Sequence, residues 1–236
     1  LVLGRANRLL LIIAKKIFLA NIIEKNFPKK YENKIREVGH ILSKSVINLS
    51  NFKKESNKKN FSILVLGGSQ GAEIFGKIIP SVIKRINQYG YIIEINQQCL
   101  KNQTKLIKEY YEKNKIKNYV FEFDSNIIKL MMTSDLAITR GGASSTAELT
   151  STFTPFIAVP LPNSVDNHQH LNAEFYQRKN YCWILEQNNF SEQNLYNLIV
   201  EIIQNKNKLK IIQENMRKNL KNNVYSVIEN EVKKII

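Results

Sequence analysis

Apolar residues along the chain gather into short continuous runs that alternate with amphipathic stretches. Phe61-Ser62-Ile63-Leu64-Val65-Leu66 is almost uninterrupted, the pattern of a strand covered on both faces. Ile74, Phe75, Ile78, Ile79, Val82, Ile83 and Ile86 then recur at three- and four-residue spacing, which draws one apolar stripe along a helix. Pro80, inside that stripe, predicts a kink. The alternation continues, with strands expected at 91–95, 119–123, 136–139, 156–160 and 181–185, and helices at 103–113, 127–132, 145–151 and 167–177. Six strands separated by helices predict an α/β fold with a doubly wound parallel sheet. After residue 191, Leu195, Leu198, Ile199, Ile202 and Ile203 mark a further helix face, and a basic amphipathic run extends to Ile236.

Upstream of the first strand the pattern changes. Residues 1–24 read as an amphipathic or buried helix. Its apolar segment 9–23 is interrupted by Lys15, Lys16 and Asn21, so it is too short and too charged to span a bilayer. Residues 26–60 are polar and lysine-rich, punctuated by Pro28 and Val38-Gly39-His40, and read as a connection between two domains. Leu1 stands in place of Met, inside apolar sequence and with no preceding turn or cap, which reads as a start within a longer chain.

Two glycine turns follow strands on the same edge of the expected sheet: Gly67-Gly68-Ser69-Gln70-Gly71-Ala72, and Arg140-Gly141-Gly142-Ala143 with Ser144-Ser145-Thr146-Ala147-Glu148 behind it. Paired glycines at a strand end, followed by small hydroxylated residues that open a helix, offer backbone N–H groups to an anion. The first turn lacks the G-x-G-x-x-G spacing, so dinucleotide binding is not indicated. Glu148 lies about one helical turn further in, placed to accept hydrogen bonds from a ribose hydroxyl. The same residues fit a capping box, in which Ser145 and Glu148 only satisfy free helix donors. Local grammar leaves both readings open; the second glycine turn on one sheet edge, where ligands of such folds sit, favours a nucleotide.

Charge and composition change this picture little. The chain has 35 Lys+Arg against 20 Asp+Glu, a net +15 that favours an anionic partner. The lysines are scattered among asparagines rather than interleaved with aromatics, so nucleic acid is not the expected partner. Cys99 and Cys182 provide neither a disulfide framework nor metal-ligand spacing. His168 and His170, two apart on a helix, point to different faces and favour surface or pocket roles over a metal. Asp124, Asp135 and Asp166 are the only aspartates, and none forms a D-x-D pair. Asn96-Gln97 follows the second strand at the ligand edge and is a further pocket candidate, whereas Met131, Met132, Cys182 and Trp183 read as core.

The ordered set Gly67-Gly68-Ser69-Gln70-Gly71-Ala72, Arg140-Gly141-Gly142-Ala143, Glu148, Asp166-Asn167-His168-Gln169 and Asn172-Ala173 resembles the carboxyl-terminal domain of the MurG family. Leu3-Gly4-Arg5-Ala6-Asn7-Arg8 resembles a segment near the end of that family's amino-terminal domain, so the resemblance covers nearly the whole chain. It implies a GT-B fold of two Rossmann-like domains facing a cleft. The implied division is a remnant of the amino-terminal, acceptor-binding domain and linker at 1–40, a polar linker at 41–60, the UDP-GlcNAc-binding domain at 61–222 and a C-terminal helix at 223–236.

The implied reaction is metal-independent, inverting transfer of GlcNAc from UDP-GlcNAc to the C4 hydroxyl of undecaprenyl-pyrophosphoryl-MurNAc-pentapeptide. It implies a peripheral enzyme of peptidoglycan synthesis on the anionic membrane surface at the cytoplasmic face of the bacterial inner membrane. Carried over residue by residue, Ser69 contacts donor phosphate and the main chain at Asp124 reads uracil. Gly142, Ala143, Ser144, Ser145, Thr146 and Ala147 line the donor, with Ser145 near phosphate; Glu148 accepts from the ribose and Gln169 bonds GlcNAc hydroxyls. Catalytic residues are expected in the amino-terminal domain, outside the residues that carry the resemblance, so this chain supplies the donor-binding half. One departure is local: His40-Ile41-Leu42-Ser43-Lys44 stands where the family has Asn-Pro and then a donor-binding Arg. The alternatives are a non-catalytic UDP-sugar-binding subunit of a split glycosyltransferase, or another lipid-glycosylating GT-B enzyme.

Overall fold

A computed structural model of the chain describes residues 5–20, 27–41, 60–164, 167–219 and 224–235. The first part holds α1 (Arg5–Leu10), β1 (Ile17–Leu19), a 3-10 turn (Lys29–Lys34) and β2 (Ile35–Glu37). β1 and β2 pair in parallel, Ile17 opposite Ile35 and Leu19 opposite Glu37. Two expectations are corrected here. The helix expected over 1–24 is, among the described residues, confined to Arg5–Leu10 and gives way to a strand, and the supposed connection 26–60 contains β2. A short apolar run is ambiguous between helix and strand by period alone; pairing with Ile35–Glu37 decides it by satisfying both backbones. Leu3-Gly4, most of the 41–60 linker with Ser43 and Lys44, and Asp166 lie outside the described residues.

The second part runs β3 (Phe61–Leu66), α2 (Gly68–Gln88), β4 (Ile93–Gln98), α3 (Lys101–Lys113), β5 (Asn118–Phe121), α4 (Ile127–Thr133), β6 (Leu136–Thr139), α5 (Ala143–Ser151), β7 (Phe156–Ala158), α6 (His168–Arg178), β8 (Cys182–Ile184), α7 (Glu192–Gln204), α8 (Lys206–Lys218) and α9 (Val224–Lys233). The sheet order is β5-β4-β3-β6-β7-β8, with every pair parallel, as the alternation of runs predicts. α2 passes through Pro80 as one continuous helix.

Both faces of the sheet are covered, which is why β3 is apolar at almost every position. On one face Ile63, Val65, Ile93 and Ile95 pack with Phe75, Ile79 and Ile83 of α2, Ile107 and Tyr111 of α3, and Leu195 and Ile199 of α7. On the other, Leu64, Leu66, Ala137, Phe156 and Ala158 meet Met131 of α4, Leu149 of α5, Tyr176 of α6 and Met216 of α8. Gln97 shares the face of Ile93 and Ile95: it is fully buried and its Oε1 accepts the Tyr111 hydroxyl proton. It therefore belongs to the core rather than to a pocket, because the two-residue period of β4 leaves no other direction.

The direction of strand succession reverses between β3 and β6. Crevices for ligands in open parallel sheets form at the carboxyl ends of the two strands flanking such a reversal. Among the described residues no helix is long and apolar enough to cross a membrane.

Candidate functional site

β3 and β6 lie side by side with Leu66 opposite Thr139, so the turns that follow them leave the sheet together. Gly67 is the residue before α2, and Gly68 takes φ +62°. Gly141 takes φ +80° and Gly142, at φ −62° and ψ 145°, precedes α5. Two helix N-termini thus leave neighbouring strand ends, each bringing first-turn N–H groups and the positive end of its dipole to the same edge of the sheet. Gly141 is required for space as well as for conformation: a Cβ there would lie 3.1 Å from the Gln169 carbonyl oxygen.

The capping-box reading fails. α5 begins at Ala143, two residues before Ser145, and Gly142 offers no side-chain cap. Ser145 is therefore already inside the helix, and Glu148 is too far along it to reach back to the helix start. The Thr146 hydroxyl instead donates back to the Gly142 carbonyl (2.9 Å), and the Asn172 amide donates both to Thr146 Oγ1 (2.8 Å) and to the Gly141 carbonyl (2.7 Å). Thr146 and Ala147 are buried, Ala143 and Ser144 exposed, and Ser145 and Glu148 intermediate. Spacings of three and four put Ser144, Ser145 and Glu148 on one face of α5. Among the described residues the Glu148 carboxylate has no hydrogen-bond or ion-pair partner, and burial raises its pKa above the ordinary glutamate value.

Gln169 lies in the first turn of α6, against Gly141. Its side-chain Oε1 accepts from the Leu161 N–H at 2.9 Å, which pins the loop after β7, so a ligand contact falls to its amide N–H donors. Asp124 follows β5, where its Oδ1 accepts from the Asn126 N–H at 2.6 Å; the side chain shapes the turn and the main chain is what it presents. Ser69 is in the first turn of α2, and its side chain lies outside the described residues. His170 sits between Glu174 (3.2 Å) and Glu186 (3.0 Å), and among the described residues no three His, Cys, Asp or Glu side chains converge as a metal site.

The sequence assigns no role to three organising residues, Gln98 and the motif members Asn172 and Arg140. Gln98, the last residue of β4, accepts from the Gly68 N–H (3.3 Å) and donates to the Glu122 carbonyl (3.1 Å), tying the loop that carries Asp124 to the first glycine turn. Asn172 holds the second turn, as above; its spacing of three from Gln169 on one helix was the available signal. Arg140 is buried before that turn, donates to the Val159 carbonyl (3.2 Å) and Gln187 Oε1 (2.7 Å), and stacks over Phe75 at 4.7 Å. Gln98→Ala removes two neutral hydrogen bonds and is expected to lower the unfolding free energy by about 1 kcal/mol. Chemical denaturation checks it, and an unshifted midpoint contradicts the tie.

Residues 62–230 match the family described as glycosyltransferase family 28 C-terminal domain. The chain is 37% identical over 217 residues to the UDP-N-acetylglucosamine–N-acetylmuramyl-(pentapeptide) pyrophosphoryl-undecaprenol N-acetylglucosamine transferase of Pelagibacter ubique (strain HTCC1062), a match covering 92% of this chain and 60% of that protein. It is 36% identical over 237 residues to the protein of the same name from Rickettsia canadensis (strain McKiel), covering 99% and 66% respectively. The crystal structure of MurG from Acinetobacter baumannii superposes with a TM-score of 0.78 at 24% identity, over 98% of this chain and 64% of that one, and shows the shared GT-B fold. The chain thus spans 60% and 66% of the length of the two sequence relatives.

Proposed function

Because this chain belongs to the MurG family, within glycosyltransferase family 28, we propose that it binds UDP-GlcNAc in the crevice between the β3 and β6 turns and supplies the donor side of GlcNAc transfer to undecaprenyl-pyrophosphoryl-MurNAc-pentapeptide. The observation that carries this reading is the pairing of two glycine turns at the strand reversal with a half-buried carboxylate one turn into α5 that has no partner among the described residues.

Each part of the donor meets a suitable group. The pyrophosphate lies against the N-termini of α2 and α5, whose N–H groups and dipoles favour negative charge. Charge grows on UDP as the glycosidic bond breaks and the acceptor C4 hydroxyl adds with inversion, so fixed donors there stabilise the transition state more than the ground state. The ribose hydroxyls donate to Glu148, the GlcNAc hydroxyls accept from Gln169, and main-chain groups at Asp124 read the uracil edge. In this reading the leaving-group charge needs no divalent cation. Two of the three aspartates are otherwise engaged, Asp135 by the Ser62 N–H and hydroxyl and Asp124 by Asn126.

Residues 61–222 act as the donor domain and residues 1–40 belong to the acceptor side. The net charge of +15 suits a peripheral position on the anionic cytoplasmic face of the inner membrane. Calorimetric titration tests the donor assignment. Binding tighter for UDP-GlcNAc than for UDP-glucose is expected; equal affinities would remove the sugar assignment, and no binding of either would remove the nucleotide.

A further inference from the structure

The segment after β2 meets α6 at His40. His40 Nε2 lies 2.9 Å from the Tyr176 hydroxyl, with the rings stacked at 6.4 Å and 25°. Tyr176 is buried on α6, edge-on to Phe156 of β7, and its hydroxyl also faces the Thr146 and Thr150 hydroxyls of α5. Thr146 is the residue that holds Gly142 and Asn172 in the second glycine turn. A continuous set of contacts therefore leads from His40 to α5, which carries Glu148, and to α6, which carries Gln169. Beside it is a pocket of about 90 Å³ lined by Glu37, Ala147, Thr150, Phe175, Lys179 and Asn219, which leaves the imidazole room to move.

We propose that His40 is a positioning residue for the donor crevice: its neutral imidazole, accepting the Tyr176 O–H proton at Nε2, holds α5 and α6 in the arrangement that presents Glu148 and Gln169, and protonation, which turns Nε2 into a donor and sets a second cation at the pocket that Lys179 lines, weakens that hold. The inference rests on the donor reading above. Among the described residues the titratable and charged groups that line the pocket with His40 are Glu37 from β2, Tyr176 from α6, and Lys179 and Tyr181 from the segment after α6; α5 lines it with the neutral Thr150 and Ser151, and the C-terminal segments with the neutral Asn219 and Val224. Burial first, and then the Lys179 charge, lower the His40 pKa from the ordinary histidine value. Burial pushes Tyr176 up to about 12, so its hydroxyl stays neutral throughout. A lowered histidine pKa means that the hold is complete above the unfolded-state value and is lost as pH falls through the folded-state value.

The test compares the full chain with His40→Gln and His40→Ala, titrated with UDP at about pH 7.5 and about pH 5.5. Gln keeps a neutral hydrogen-bonding group near the position of Nε2 but does not titrate. The wild type is expected to lose about fivefold or more in UDP affinity on acidification beyond any loss shown by His40→Gln, and His40→Ala to be weakened by about that factor already at neutral pH. The same acid loss in His40→Gln as in the wild type, or wild-type affinity in His40→Ala, overturns the proposal. Amide hydrogen exchange over 143–151 and 168–178 is measured in parallel without ligand. If no protein binds UDP at either pH, the donor reading fails, and exchange alone decides the role of His40. Acid-accelerated exchange in the wild type that is absent in His40→Gln upholds the coupling; identical exchange overturns it.

Discussion

Replacing Glu148 by Gln lowers the affinity for UDP by about 1–3 kcal/mol, about 5- to 150-fold, while thermal stability at neutral pH stays unchanged or rises. The two halves of this result have one cause. Among the described residues the Glu148 carboxylate has no partner, so removing its charge breaks no contact that holds the fold. Its pKa is raised by burial, which means that the fold disfavours the ionised form relative to water. A carboxyl with a raised folded pKa favours the native state below its unfolded value, and that contribution is lost as pH rises through the folded value. At neutral pH the wild type therefore carries an uncompensated charge that Gln removes. Ribose hydroxyls supply the missing donors, so nucleotide binding pulls the pKa back down and UDP affinity falls on acidification as Glu148 takes up a proton. Calorimetry and thermal melting of the same samples check both halves. A loss of melting temperature without a loss of affinity would return Glu148 to a structural role.

Gly141→Ala is expected to cost about 3 kcal/mol of unfolding free energy and to abolish UDP binding. At φ +80° a side chain is strained by itself, and its Cβ would lie 3.1 Å from a backbone oxygen, that of Gln169, rather than from a side-chain tip able to rotate away. Relief requires the turn or the start of α6 to move, and either movement breaks the bond from Asn172 to the Gly141 carbonyl. Gly142→Ala provides the contrast. Gly142 has negative φ and nothing within 4 Å of an added Cβ, so its loss costs no more than about 1 kcal/mol of stability. A phosphate approaching the backbone there meets the new methyl group, so binding weakens without unfolding. Denaturant titration of both variants separates the effects; equal stabilities for the two would contradict the strain assigned to Gly141.

The main sheet was legible because its strands are buried on both faces and read as continuous apolar runs, Ile63-Leu64-Val65-Leu66 above all. β1 and β2 were not, because three-residue strands have no period to detect and their identity is set by pairing with each other across the polar turn at 29–34. The geometry of the candidate site, two glycine turns beside each other with Glu148 behind one of them, was legible in the sequence, but its local grammar was not. Ser145 and Glu148 match a capping motif, yet the positive φ of Gly141 starts the helix two residues earlier and turns both side chains to a common face. Gln97 and Gln98 show the same dependence on element ends. β4 was expected at 91–95 and runs to Gln98, which puts Gln97 in the core and brings Gln98 to the edge, where it joins two loops. Such ties depend on which residue ends a strand, the detail that sequence patterns resolve least.

The proposed donor crevice lies at the point where strand order reverses. A crystal structure of the chain grown with UDP-GlcNAc tests that assignment most directly. The pyrophosphate is expected between the N-termini of α2 and α5, with a ribose hydroxyl within hydrogen-bonding distance of Glu148 and the GlcNAc ring beside Gln169. A nucleotide bound elsewhere, or one bound in the crevice with its ribose turned away from Glu148, would contradict it.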